Sequence, residues 1–119
     1  MTRKLILDLD TGIDDSLAIA YTLASPEAEL IGVTATYGNV LMRDSVRNSL
    51  AVLDLLGAPG IPVHPGLPCA SSAGDFSVQE ISAFIHGRNG IGEDDIADSR
   101  RSAETTGAVD VIIEASRRY

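Results

Sequence analysis

Four aspartates, Asp8, Asp10, Asp14 and Asp15, stand in the short run Leu7-Asp8-Leu9-Asp10-Thr11-Gly12-Ile13-Asp14-Asp15. Anions this close repel one another, so either some keep a proton or a cation neutralises them. A hard divalent ion such as calcium suits a set of carboxylate oxygens. Nothing nearby offers the Cys and His combination that zinc prefers. The plainer alternative is a helix cap with solvated acids, but a cap needs only one such side chain. If Asp14 and Asp15 lie in the first turn of a helix, they point about 100° apart around its axis. One can then share an ion with Asp10 while the other faces a ligand. A water activated by an ion beside a free carboxylate oxygen is a nucleophile with its own general base.

The elements that must hold these acids follow from the flanking residues. Lys4 to Leu9 reads as a buried strand and Asp14 to Ala24 as a helix stopped by Ser25-Pro26. Glu29 to Thr36 reads as a second strand, closed by Tyr37-Gly38-Asn39 turn chemistry. Val40 to Leu56 reads as a long helix, with Val46, Leu50, Leu53 and Leu55 or Leu56 at helical spacing. Arg43, Asp44, Arg47 and Asn48 fall on its other side, and Gly57 suits its end. Ile61 to His64 forms a short third strand. Strand, helix, strand, helix, strand is the pattern of an α/β fold: an open, Rossmann-like parallel sheet with flanking helices. The acids then lie at the C-terminal strand edge, where such sheets bind ligands.

From Pro65 to about Ser102 the texture changes to Gly, Pro and Ser, with a short helix between Ser77 and Ile85. A segment longer than about 12–15 residues is usually functional or disordered. Ala103 to Tyr119 reads as a last helix with Val109, Ile112, Ile113 and Ala115 as its apolar face.

The chain has 119 residues, 45% of them hydrophobic, enough for one domain with a core. Its 17 acids against 9 bases give a net charge of −8, which disfavours nucleic-acid backbones and anionic membranes. Apolar runs are too short to span a bilayer, and Asp8 interrupts the N-terminal run that a signal peptide needs. A cytoplasmic location is the expectation. The single Cys69 excludes an internal disulfide and reads as a loop thiol. Asn39, taken alone, is a turn residue; on the same sheet edge it can reach the acid crevice. His64 and His86, taken alone, are surface histidines, and Glu93-Asp94-Asp95 is a solvated acidic face.

Together these segments resemble the inosine/uridine-preferring nucleoside hydrolases. Asp8-Leu9-Asp10-Thr11-Gly12-Ile13-Asp14-Asp15-Ser16 resembles the family's DxDxGxDD segment. Thr34-Ala35-Thr36-Tyr37-Gly38-Asn39-Val40, Pro62-Val63-His64-Pro65-Gly66, His86-Gly87-Arg88-Asn89-Gly90-Ile91-Gly92 and Ala108 to Glu114 resemble its later segments in order. The resemblance implies calcium-dependent hydrolysis of the N-glycosidic bond of ribonucleosides. It implies Asp10 as calcium ligand and general base on the attacking water, and Asp15 as the main calcium ligand. Asp14 would grip the ribose hydroxyls, Asn39 and His86 would bind substrate, and Asp8 would support the loop. Family enzymes are much longer. Residues 1–119 are therefore expected to be the N-terminal portion of one nucleoside hydrolase domain, with a long active-site loop at about 65–102. Weak or absent activity follows, with association either between copies or with the missing C-terminal half. An inactive α/β piece acting only by association is the alternative. A haloacid-dehalogenase-like phosphatase using Asp8 and Asp10 explains neither Asp14-Asp15 nor Asn39.

Overall fold

A computed structural model describes all of residues 1–119. In chain order the elements are β1 (Arg3–Leu9), α1 (Ile13–Ala24), β2 (Ala28–Ala35), α2 (Met42–Leu55), β3 (Val63–Pro65), α3 (Glu80–His86) and α4 (Ala108–Arg118). The three strands pair in parallel in the order β1-β2-β3. The α/β reading therefore holds, with strand and helix boundaries close to those expected.

β1 and β2 carry near-continuous apolar runs, as parallel strands do, and one face of the sheet packs under α1 and α2. The core there is Leu9, Ile19, Leu30, Val33, Ala35, Leu50, Val52, Leu53 and Val63. Pairing shifts register between Leu5/Ile6, where Leu5 faces Leu30 and Ile6 faces Gly32. The extra residue, Ile31, resets the alternation. Leu30 before it and Val33 and Ala35 after it can thus all enter one core.

The other face is sparsely covered. Between α4 and the first two strands lies an open cavity of about 610 Å³, whose lining includes Ile6, Ile31, Ile112 and Tyr119. The apolar face of α4 read from the sequence, with Val109, Ile112 and Ile113, stays exposed, Val109 by 61%. Leu55 and Leu56, expected on the buried stripe of α2, also face solvent, because the helix ends at Leu55 and the chain turns away at Gly57 (φ +72°).

Two connections differ from expectation. α3 begins at Glu80 rather than Ser77. α4 begins at Ala108 rather than Ala103, because Ala103 to Gly107 runs along the open side of β3 instead. There the Glu104 N–H donates to Val63 O at 2.8 Å, and the His64 ring Nδ1–H donates to the Thr106 carbonyl at 2.8 Å. His64 is thus a buried residue that pins this strap, not a surface histidine. Arg101 anchors the preceding segment through Asp54 (2.9 Å) and Ile61 O (2.9 Å). The Ser99 hydroxyl and Arg101 beside Asp54 hold its carboxyl below the usual aspartate range.

Candidate active site

The acid run folds as its residue types demand. β1 ends at Leu9, Asp10 to Gly12 make the turn, and Ile13 opens α1. Asp14 and Asp15 occupy the first helical turn, where the helix dipole favours anions. Gly12, the N-cap, has no side chain to satisfy the free N–H groups. His86 does this from a distant segment: its Nδ1 accepts from the Ile13 N–H at 3.2 Å. That nitrogen also lies 3.7 Å from Asp14 Oδ1. Gly12 is required at this contact, since a Cβ there would come within 2.5 Å of His86 Nδ1.

The exit of β2 closes the other side. The Asn39 main-chain N–H donates to Asp10 Oδ2 at 2.7 Å. Asp10 is also the neighbouring carboxyl that most opposes ionisation of Asp15. Burial, Asp10 and then Asp14 push the Asp15 carboxyl up from 3.8 to about 6. Asp15 Oδ2 is buried with no hydrogen-bond partner. Asp14, by contrast, presents its side chain to solvent.

The structure therefore brings Asp10, Asp14, Asp15, Asn39 and His86 to one crevice. Asp8 points to the other sheet face, where its Oδ1 accepts from the Thr34 hydroxyl at 2.5 Å. Cys69 lies in a loop, its Sγ 3.4 Å from Ala73 O. Glu93 is more than a solvated acid: its carboxylate accepts from the main-chain N–H groups of Arg88 and Asn89, tightening the loop after His86.

No group of three or more His, Cys, Asp or Glu side chains converges with metal-holding geometry. Asp10 and Asp15 do fit a cation as a pair. Both supply oxygen ligands, burial and the Asp10 neighbour raise Asp15, and Asp15 Oδ2 is left without a partner.

Sequence reading missed the contribution of α2. Asn48, assigned to the solvent side of that helix, is 1% exposed. The Ser49 and Thr11 hydroxyls are hydrogen-bonded at 2.6 Å, and the Ser45 hydroxyl donates to Leu9 O at 3.0 Å. A buried polar stripe of Ser45, Asn48 and Ser49 on a helix following the acid turn is the signal that was available.

Fold and crevice together define a parallel α/β domain whose acids gather at the strand ends. The chain matches the family model described as inosine-uridine preferring nucleoside hydrolase over residues 5–119 and belongs to that family. Its structure is similar to a purine-preferring ribonucleoside hydrolase from Gardnerella vaginalis, with 61% sequence identity and a TM-score of 0.97, covering 98% of this chain and 37% of that one. It is 34% identical to uridine nucleosidase 1 of Arabidopsis thaliana over 98% of this chain and 34% of that protein. An uncharacterized protein of Corynebacterium ammoniagenes is 55% identical over 79% of this chain and 98% of its own length. The chain thus spans about a third of the length of the named nucleoside hydrolases.

Proposed function

We propose that residues 1–119 supply the cation-binding and ribose-binding part of a ribonucleoside hydrolase site. The observation that carries this is the Asp10–Asp15 pair with its unpartnered Asp15 oxygen, in a chain of this family. Asp10 and Asp15 would hold calcium, which when bound supplies positive charge against their repulsion and polarises the attacking water. Asp10 has one oxygen fixed by the Asn39 N–H, which leaves the other to take the proton as water adds to the anomeric carbon and the bond to the base breaks. Asp14 is free to accept from ribose hydroxyls. Asn39 and His86 flank the same opening and would contact the substrate. The anionic surroundings favour positive charge developing on the sugar.

Protonation of the departing base and closure over the sugar are assigned to groups outside these 119 residues. Loss of contacts that strengthen in the transition state lowers rate and not only affinity. The purified chain with calcium should therefore release little or no base from inosine or uridine. Robust turnover abolished by Asp10→Ala would overturn that division of labour while supporting the role of Asp10. No binding of either nucleoside or of calcium would remove the reading itself.

Exposed apolar surface favours association as a second property. Leu17 and Tyr21, one turn apart on α1, are 71% and 75% exposed. With the open cavity beneath α4, they leave apolar area uncovered on two sides. A second copy, or the complementary remainder of a hydrolase domain, would cover them. No helix is long and apolar enough to cross a membrane, and a cytoplasmic setting is part of this proposal.

A further inference from the structure

Two segments far apart in the chain make the crevice: the turn from Asp10 to Asp15 and the loop from His86 to Gly92. Asn48 belongs to neither, yet it is bonded to both. Its Nδ2 carries two hydrogens. One goes to Thr11 O at 3.2 Å and the other to Asn89 O at 2.8 Å. Both donors of a fully buried amide are thereby used on the two halves of the site. The loop is pressed against this amide. Gly90 runs at φ +81°, and a Cβ there would come within 2.4 Å of Val40 Cγ1 and 2.9 Å of Asn48 Nδ2.

We propose that Asn48 is a positioning residue that fastens the His86 loop to the carboxylate turn, acting through Asn89 and Thr11. Resting on the hydrolase reading, it sets where His86 stands relative to Asp14. The side-chain type is specific. An aspartate would aim a carboxylate at two carbonyl oxygens. An alanine leaves both carbonyls without a donor in a buried place. A glutamine adds a methylene where Gly90 leaves no room.

Amide exchange and NMR of the 119-residue chain test this. Asn48→Ala should speed exchange of the Gly90 and Gly92 amides, which are bonded to Gly87 O and His86 O, by at least about tenfold. It should also shift the Ile13 amide resonance, because that N–H is held by His86 Nδ1. Val52→Ala, a core change on the same helix, controls for lost stability and should move neither beyond its global effect. Gly90→Ala breaks the same joint from the loop side with Asn48 intact, so it reads the coupling even if Asn48→Ala fails to fold. Loop exchange that only follows global stability in these variants would overturn the proposal. A parallel inosine titration separates the two ideas. Loosening of the loop in a chain that binds no nucleoside leaves the Asn48 coupling standing and removes the hydrolase reading. Nucleoside binding with an unaltered loop does the reverse.

Discussion

Gly38 lies so close to Asp10 that a methyl group on it would come within 2.2 Å of Asp10 Oδ2. The absence of a side chain at 38 is what lets the β2 exit close down and lets the Asn39 N–H fix one Asp10 oxygen. Gly38→Ala should therefore swing the Asp10 side chain away while the fold survives, since a carboxylate can rotate where backbone cannot. The expected outcome is a loss of calcium affinity of about tenfold or more, read by calorimetry. Unchanged affinity would show that Asp10 does not reach the ion.

The same measurement bears on the pair directly. Calcium takes about six to eight oxygens, and two carboxylates supply only part of that shell. Binding to this chain should be weak and should vanish in the Asp10→Asn, Asp15→Asn double variant. Undiminished binding there places the ion elsewhere.

Asp15 predicts a pH dependence with an unusual sign for an aspartate. Its folded value of about 6 lies above the ordinary 3.8, so the folded chain holds the proton more tightly than the unfolded one. Metal-free stability should fall as pH rises from about 4 to about 6 and then stay level for this group. Urea melts across that window should show the slope, and Asp15→Asn should remove it and stabilise the metal-free chain at pH 7. A slope that survives the substitution would assign it to another group.

The bond between Thr11 and Ser49 is buried and joins the acid turn to α2. Ser49→Ala leaves the Thr11 hydroxyl with a long contact of 3.5 Å to Ser45. A cost of about 1–2 kcal/mol is expected. Thr11→Val added to it should cost less than the sum of the two single changes, because no hydroxyl is then left unpaired. Strict additivity in the cycle would rule out the bond as a stabilising contact.

The exposed stripe on α1 gives a solution prediction. Leu17→Lys with Tyr21→Lys should shift sedimentation toward monomer and leave thermal stability within about 0.5 kcal/mol, as surface changes do. An unaltered association state would rule out the α1 stripe as a contact surface.

Much of this was written in residue types. The apolar start of β1, the acids behind it and the turn chemistry at Gly38-Asn39 each dictate local structure. Parallel pairing then brings Asp10 and Asn39 together without further information. His86 was legible only by resemblance, because its place opposite Gly12 depends on a loop path that no periodicity encodes. Asn48 was misplaced for a physical reason: helical patterning assigns a polar residue to solvent, and only the tertiary fold supplies the two carbonyls that make its burial favourable. The apolar faces of α1 and α4 are legible in the sequence, yet Leu17, Tyr21 and Val109 stand open. An apolar stripe states what a helix is able to bury, not what is there to bury it.

The strap of Glu104 and Thr106 over β3 has a consequence for where the sheet can grow. It occupies one rim of the sheet, while β1, the other rim, has main-chain pairing on one side only. Such a sheet has a valence of one. Among residues 1–119, any strand added by hydrogen bonding, whether from a second copy or from the remainder of a hydrolase domain, would extend the sheet at β1 and in one direction only.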